Sequence, residues 1–172
     1  MYMYLTTGTR DFMEKLQARH ADKGMILMHG GGQSLLLHET DGKKSVFQTP
    51  RRYEVVSSAG ELKEEGYFVF NSVPVTDEGR PVFEHRLSTD TGRIECQKGF
   101  TAFRLLRPLD SDTYIVMTEW EDASDYDRWK HSQAFKESPQ SLDMNAFAGN
   151  TTHIFDSASY ITTYIAKIDD KA

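Results

Sequence analysis

The chain lacks several features that would assign it to a class at once. Its 172 residues include a single cysteine, Cys96, so no internal disulfide can form, which is typical of a reducing compartment. No apolar run approaches the roughly 18 residues of a membrane span. The first five residues contain no basic segment and no signal-peptidase pattern. We therefore expect a cytoplasmic protein without a membrane span.

Basic residues are fewer than acidic ones in this chain. The chain has 20 Lys and Arg against 26 Asp and Glu, which gives a net charge of −6 at pH 7. Phosphate backbones bind basic surfaces, so nucleic acid is not expected as a partner. Hydrophobic residues make up 38% and charged residues 27%, which indicates a globular chain with a buried core rather than a disordered one.

The common short motifs of catalysis are missing. The sequence contains no HExxH, CxxC or GxSxG pattern. Gly30-Gly31-Gly32 lacks the Lys-Ser/Thr pair of a phosphate-binding loop and joins two predicted strands, which favours a hairpin. Because no flavin or nicotinamide motif is present either, the electrons of any redox reaction must come from an external donor.

The first half of the chain predicts roughly the order strand, helix, strand, strand, helix, with a further short strand before the second helix. Thr9 is a suitable N-cap for a helix through His20. Thr49-Pro50 places an N-cap before a proline at the first helical position, which predicts a second helix ending at Gly60. Alternation, apolar runs and the Asp41-Gly42 turn predict strands at residues 2–7, 25–28, 34–38 and 45–48.

The second half repeats this order and adds a final strand. The charged stretch 61–66 separates the halves, so the predicted domains are residues 1–64 and 65–172. The elements predicted there are strands 67–73, 100–106 and 114–120, a helix over 81–87, a helix capped by Asp122, and a strand within 154–168. This pattern is typical of an α+β, ferredoxin-like fold. Two such halves can bury their open sheet faces against each other, which predicts a pseudo-dimer within one chain and a monomer in solution.

Two side chains stand out as candidates for a site. Trp129 lies three residues after Tyr126 on the helix from Asp122, so both share one helix face. Asn71 lies within a run of apolar strand residues, where asparagine is unfavourable, and it shares a face with Val69. Core packing for Trp129 and a strand-end role for Asn71 are the plainer alternatives.

Read together with Asn71, residues 98–136 resemble the signature of the antibiotic biosynthesis monooxygenase superfamily. The spacing from Gly99 through Trp120 to Trp129 carries this resemblance, which within the superfamily points to the IsdG-like heme-degrading enzymes. The layout of nearly the whole chain is similar to the two-part, HmoB-type heme monooxygenases. The resemblance implies oxidative cleavage of heme, with heme as both cofactor and substrate, O2 as the oxidant and an external reductant.

The resemblance also implies roles for single residues. Asn71 takes the position of the asparagine that hydrogen-bonds the distal oxygen ligand, and Trp129 that of the tryptophan that distorts the porphyrin. The family's iron-ligating histidine stands about ten residues after this tryptophan, where this chain has Pro139. We therefore take His153 as the candidate metal ligand, and His153 with His131 as candidates for cofactor binding.

Two other readings stay open because of Pro139. Superfamily members without heme oxidise aromatic polyketides in a similar cavity with no cofactor. The two-part proteins also include TRAP-type signal-transduction relatives, so the chain could be a signalling or heme-binding protein that kept the scaffold without enzymatic activity. Retention of both Asn71 and Trp129 favours catalysis.

Overall fold

The structure is a computed structural model that describes residues 1–89, 92–141 and 154–166. Eight strands and five α-helices are found in these ranges. The strands are β1 (Tyr2–Gly8), β2 (Ile26–Gly30), β3 (Gln33–Thr40), β4 (Arg51–Gly60), β5 (Gly66–Pro74), β6 (Phe100–Pro108), β7 (Thr113–Trp120) and β8 (Tyr160–Ala166). The helices are α1 (Arg10–Arg19), α2 (Arg80–Thr89), α3 (Gly92–Glu95), α4 (Ala123–Lys130) and α5 (Gln133–Lys136), with 3-10 helices at Ala21–Lys23 and Pro139–Ser141.

The eight strands form one closed antiparallel barrel. Their order around the barrel is β1-β3-β2-β8-β5-β7-β6-β4, and β4 closes the ring by pairing with β1. The first four strands have the order β4-β1-β3-β2 and the last four the order β8-β5-β7-β6, so both sets follow the same ferredoxin-like plan. The sets join at two seams, where β4 pairs with β6 and β2 pairs with β8. The predicted ferredoxin-like pseudo-dimer is thereby confirmed.

The barrel interior is the largest hydrophobic core of the protein. Side chains alternate between the two faces of a strand, so every second residue of each strand points inward. Phe68, Phe70 and Met117 enter from the second half and meet Met3, Leu35 and other residues of the first half. Each half thus covers the sheet face that the other leaves open. The domain boundary predicted between residues 64 and 65 lies between β4 and β5 and stays a prediction.

The predicted helix over residues 50–60 is wrong, because Arg51–Gly60 is strand β4. Tyr53, Val55 and Val56 are strand-forming residues, and the segment pairs with β1 on one side and β6 on the other. These two long-range ladders outweigh the local helix signals of Thr49-Pro50. Gly60 has a φ of 73° and lies so close to the Thr101 carbonyl that a side chain there would collide with it.

The strand predicted at residues 45–48 is also wrong. This segment consists of bends, and Phe47 is its anchor, buried against Tyr4 and Leu36 on the outer face of the sheet. The first half therefore has one α-helix, α1, where two were predicted. The Thr9 cap of α1 is confirmed, since the Thr9 hydroxyl accepts a hydrogen bond from the Phe12 N–H.

Helices α2 and α4 pack on the outside of the second-half strands. Glu84 of α2 accepts two hydrogen bonds of 2.7 Å from the Arg107 guanidinium on β6 and one from the Tyr114 hydroxyl on β7. Phe83 and Leu87 of α2 are buried beside Tyr114. Among the residues that the structure describes, no helix has both the length and the hydrophobicity needed to cross a membrane.

Candidate functional site

The candidate site lies on the outer face of β5 and β7. Residues of β5 that point outward alternate with Phe68 and Phe70, which point into the barrel. Val69 and Asn71 therefore share the outer face, where they pair with Thr118 and Val116 of β7. Asn71 pairs on its other side with Ile161 of β8, so its side chain stands at the middle of three strands.

Helix α4 carries Trp129 to this face. Its N-cap is Asp122, as predicted, although the Asp122 side chain makes no capping hydrogen bond to the helix backbone. Asp125 is nearly buried in the first turn and binds the Arg128 guanidinium at 2.9 Å. Gly99, in the turn just before β6, has a φ of 82° and lies directly against Asp125 of α4. A side chain at position 99 would therefore collide with Asp125. This contact sets the position of α4.

An aromatic cluster surrounds Trp129, which is only 2% exposed. Its ring centroid lies 6.5 Å from that of Trp120 and 5.4 Å from that of Phe135. Tyr126 contacts both Trp120 and Tyr67, with ring centroids 6.1 Å apart in each case. Core packing therefore accounts for most of the surface of Trp129.

One face of Trp129 nevertheless borders a cavity that also contains Asn71. The cavity has a volume of about 30 Å³. Five of its lining side chains carry neutral polar groups, those of Asn71, Thr118, Tyr126, Trp129 and Gln140. The other lining residues are Val69, Val116, Phe135 and Ile161. The structure thus brings the two predicted site residues together, on opposite walls of a small and mostly apolar space.

The polar atoms of this cavity are incompletely paired. Asn71 Oδ1 is buried and has no hydrogen-bond partner among the described residues. Thr118 Oγ1 accepts a hydrogen bond of 2.9 Å from Trp120 Nε1. Sequence reasoning missed Thr118 and Gln140. Strand alternation from Trp120 could have placed Thr118 on the same face, whereas no sequence signal distinguishes Gln140.

A short segment covers part of the cavity from outside. We define the cover as residues 133–141, which comprise α5 and the 3-10 helix Pro139–Ser141. Ser132 caps α5 by accepting a hydrogen bond from the Phe135 N–H, and Phe135 packs on Trp129. Pro139 and Gln140 are buried, and Glu137 pairs with Arg93 of α3 at 3.4 Å. Pro139, at the position of the family's iron ligand, is therefore a packed part of this cover.

Only one of the two candidate histidines, His131, lies within the described residues. His131 is exposed at the C-terminal end of α4, and its Nδ1 bonds the Asp127 carbonyl oxygen at 2.9 Å. His131 does not line the cavity. His153 lies outside the described residues. The heme-binding roles assigned to His131 and His153 stay predictions.

A second and larger cleft, of about 560 Å³, opens at one end of the barrel. Sequence reasoning did not foresee it. Its walls come from the connection between the halves, from the start of β5, from the β7–α4 turn and from the end of β8; they include Lys63, Tyr67, Glu121 and Ile165. Asn71 and Trp129 are absent from its lining, so this cleft and the candidate site are different places.

Next to this cleft, Glu119 of β7 points into the barrel and is fully buried. Its Oε1 accepts a hydrogen bond of 3.0 Å from the Lys63 N–H, and its Oε2 has no partner among the described residues. Burial raises the pKa of Glu119 to about 7, although the Lys63 hydrogen bond and the charges of Lys63 and Arg104 oppose this rise. The carboxyl is thus poised to change its protonation near neutral pH.

Comparison with known proteins agrees with this geometry. The family model described as antibiotic biosynthesis monooxygenase matches residues 66–138, which run from β5 to the cover. This part of the chain is therefore similar to the antibiotic biosynthesis monooxygenase (ABM) family. The match includes Asn71, Thr118 and Trp129, while β1 to β4 lie outside it.

Relatives extend over both halves. A protein named signal transduction protein TRAP from Staphylococcus epidermidis is 26% identical over 170 residues, which cover 99% of each chain. A heme-degrading monooxygenase from Listeria monocytogenes is 25% identical over 151 residues, 88% of this chain and 90% of the relative. The solved structure of a major regulator of staphylococcal pathogenesis has a TM-score of 0.85 at 23% identity and covers 98% of this chain and 100% of that one. This last likeness shows that the two-part barrel fold is shared.

Proposed function

We propose that the protein binds heme as a substrate at the Asn71–Trp129 site and cleaves the porphyrin ring oxidatively, which releases iron. O2 and an external reductant are the co-substrates. The observation that carries the proposal is that Asn71, with a buried and unpartnered Oδ1 among the described residues, lies on the same cavity as Trp129. The named activity of the Listeria relative supports the same choice of substrate.

Asn71 and Trp129 have separate tasks in this proposal. A buried amide oxygen without a partner is costly, and such groups often serve a ligand. Asn71 offers an amide N–H donor and a carbonyl acceptor to a polar ligand above the porphyrin plane. The Trp129 indole, held by Trp120 and Phe135, offers a rigid apolar surface that would press on one side of the ring. Deforming the macrocycle would bring one of its meso carbons nearer the polar group.

Heme can enter only if the cover moves. Pockets for ligands of this size have volumes of about 300–1,000 Å³, whereas the cavity measures about 30 Å³. Phe135 and Gln140 occupy the space over Asn71. The cover is joined to α3 by the exposed Arg93–Glu137 pair, and exposed ion pairs of this kind contribute less than about 1 kcal/mol. Displacing residues 133–141 would widen the small cavity.

A hemin titration of the purified protein tests the proposal. We expect a shifted Soret band on binding, followed by its decay when ascorbate is added under air, with release of iron that a ferrous chelator detects. Asn71→Ala should slow the decay while leaving hemin binding largely intact. Trp129→Phe should alter both the Soret position and the rate. A wild-type chain that leaves the hemin spectrum unchanged would rule the proposal out.

Ser72→Ala is a matched control for Asn71→Ala. Ser72 follows Asn71 on the same strand but points into the barrel and is 5% exposed. Its replacement perturbs β5 to a similar extent without touching the cavity. If Ser72→Ala slows heme decay as much as Asn71→Ala does, the effect comes from the strand and not from the amide.

One observation favours a second function, that of a signalling or heme-binding protein without turnover. Pro139 cannot ligate iron, and it is buried in the closed cover. The Staphylococcus epidermidis relative, matched over 99% of its length, is named a signal transduction protein. The titration separates the two functions, because this second one predicts either no Soret shift or a shifted band that survives ascorbate.

A further inference from the structure

Two polar side chains of the Asn71 cavity, those of Thr118 and Asn71, each have a hydrogen-bonding group without a partner among the described residues. Trp120 Nε1 can only donate, so Thr118 Oγ1 is the acceptor in their 2.9 Å hydrogen bond. The Thr118 O–H must then point away from the indole, and it has no acceptor among the described residues. Asn71 Oδ1 lacks a donor within the same described set. Among the described residues, the cavity wall therefore presents at least one unused donor, the Thr118 O–H, and one unused acceptor, Asn71 Oδ1.

The strand register prevents these two groups from meeting directly. Thr118 pairs with Val69, and Asn71 pairs with Val116, so Thr118 and Asn71 are diagonal neighbours on one face of the β5–β7 pair. Diagonal neighbours lie about 7–8 Å apart. Threonine and asparagine side chains are too short to close that gap, whereas one bridging water spans two hydrogen bonds of about 2.8 Å each.

The cavity has room for such a bridge. Its volume of about 30 Å³ exceeds the roughly 10–15 Å³ that one buried water requires. Buried water needs two or more polar partners, and here Gln140 adds a further polar side chain to the lining. Tyr126 and Trp129, which carry a hydroxyl and an indole N–H, also line the cavity, and the remaining walls are apolar.

We infer that the cavity is a binding site for one water-sized hydroxyl ligand, which accepts a hydrogen bond from Thr118 and donates one to Asn71. Trp120 is a positioning residue of this site, since its indole N–H fixes the direction of the Thr118 hydroxyl. The ligand class is one that both accepts and donates, such as water or the O–H end of a hydroperoxide. Diatomic gases accept but cannot donate, so they would leave Asn71 Oδ1 unpaired.

This inference goes beyond the proposed function, because the site is complete without heme. Its test uses the full chain with no hemin added, so its outcome is separate from that of the hemin titration. The probe is water itself, observed as an ordered oxygen in high-resolution crystal structures of the wild-type chain and of Thr118 variants.

In the wild-type crystal we expect one ordered oxygen within hydrogen-bond distance of both Thr118 Oγ1 and Asn71 Oδ1. Thr118→Val keeps the shape but removes the donor, so the oxygen should be lost. Thr118→Ser restores the donor and should recover it. In Trp120→Phe the Thr118 hydroxyl should turn and the oxygen should shift or lose occupancy. A dry wild-type cavity, a direct Thr118–Asn71 contact, or an oxygen that persists in Thr118→Val would overturn the inference.

A double-mutant cycle gives a second measurement that requires no crystals. If Thr118 and Asn71 share one water, Thr118→Val and Asn71→Leu should not act independently on the unfolding equilibrium constant. The fold-change in the double variant should be smaller than the product of the two single fold-changes, because the first substitution already removes the bridge. Strictly multiplicative effects would count against a shared ligand.

Discussion

Arg104 on β6 and Glu39 on β3 form an ion pair at one end of the barrel interior, and this pair joins strands from the two halves of the chain. Arg104 Nε lies 2.7 Å from Glu39 Oε2, and the two side chains are 8% and 21% exposed. A second guanidinium nitrogen, Nη1, donates to the carbonyl oxygens of Ala59, Gly60 and Phe103. One side chain thus holds β3, β4 and β6 together at the seam.

Breaking this pair should destabilise the fold strongly. Arg104→Met keeps the aliphatic stem but leaves Glu39 and three carbonyl oxygens without their donor, and we expect a loss of about 3 kcal/mol in the free energy of unfolding. Urea unfolding followed by circular dichroism measures it. Arg10→Ala is the control, because the Arg10–Glu14 pair on α1 is largely exposed and should contribute about 0.3–0.5 kcal/mol. Equal losses in both variants would contradict a buried role for Arg104.

The buried carboxyl of Glu119 should make stability depend on pH. Its pKa in the folded protein, about 7, is raised above the ordinary value of 4.5, so the folded state holds this proton more tightly than the unfolded state. This contribution is fully present below about pH 4.5 and is lost as the pH rises through 7. The charged groups nearby, Lys63 and Arg104 with its partner Glu39, limit the loss, which we expect to be on the order of 2–3 kcal/mol.

Glu119→Gln isolates this effect, because glutamine resembles the protonated acid and can still accept from the Lys63 N–H. The variant should match the wild-type chain near pH 5 and exceed it in free energy of unfolding near pH 8. Denaturation curves at several pH values measure the difference. If the two stability profiles run parallel from pH 5 to 8, Glu119 does not titrate in this window.

Gly99 should be essential for the packing of α4 against the turn before β6. A methyl group at Gly99 would stand 2.1 Å from Asp125 Cγ, and the residue has a φ of 82°. Gly31→Ala is a matched control, since Gly31 has a φ of 60° but no atom within 4 Å of an added methyl group. The left-handed backbone alone costs about 1–2 kcal/mol, so Gly31→Ala should lose that much and Gly99→Ala distinctly more. Similar losses of stability in the two variants would show that the Asp125 side chain moves aside at little cost.

The closed barrel predicts a monomer in solution. Both sheets already cover each other within one chain, and the seam strands β4 and β2 pair with β6 and β8 rather than with a second copy. Size-exclusion chromatography with light scattering should give a mass near 19.7 kDa at all concentrations. A mass of about 40 kDa that persists on dilution would indicate a symmetric dimer instead.

The iron ligand, which rests on the proposed function, is tested by two histidine variants. His153→Ala should remove or strongly alter the Soret band of the hemin complex, because a neutral imidazole is the usual proximal ligand. His131→Ala should leave it intact, since that ring is exposed at the end of α4 and bonded to Asp127. An unchanged spectrum in His153→Ala would reject this ligand while leaving heme binding itself in place.

Much of the second half could be read from the sequence. Alternation over residues 67–73 and 114–120 predicted β5 and β7, and it placed Asn71 on one face with Val69. The Asp122 cap and the three-residue spacing of Tyr126 and Trp129 predicted α4. These features are local, because they depend on the period of a strand or a helix and on the residues at its end. Such periods are visible in the chain itself.

Only the tertiary structure decided β4, the size of the cavity and the state of its polar atoms. Residues 51–60 carry helix-start signals, yet pairing of residues 51–54 with β1 and of residues 53–60 with β6 makes them a strand. The cavity is small because Phe135 and Gln140 of the cover lie over Asn71. No local sequence pattern predicts this arrangement. Whether Asn71 and Thr118 find partners depends on the register of two strands and on the direction of the Trp120 indole, and both arise from contacts between residues distant in sequence.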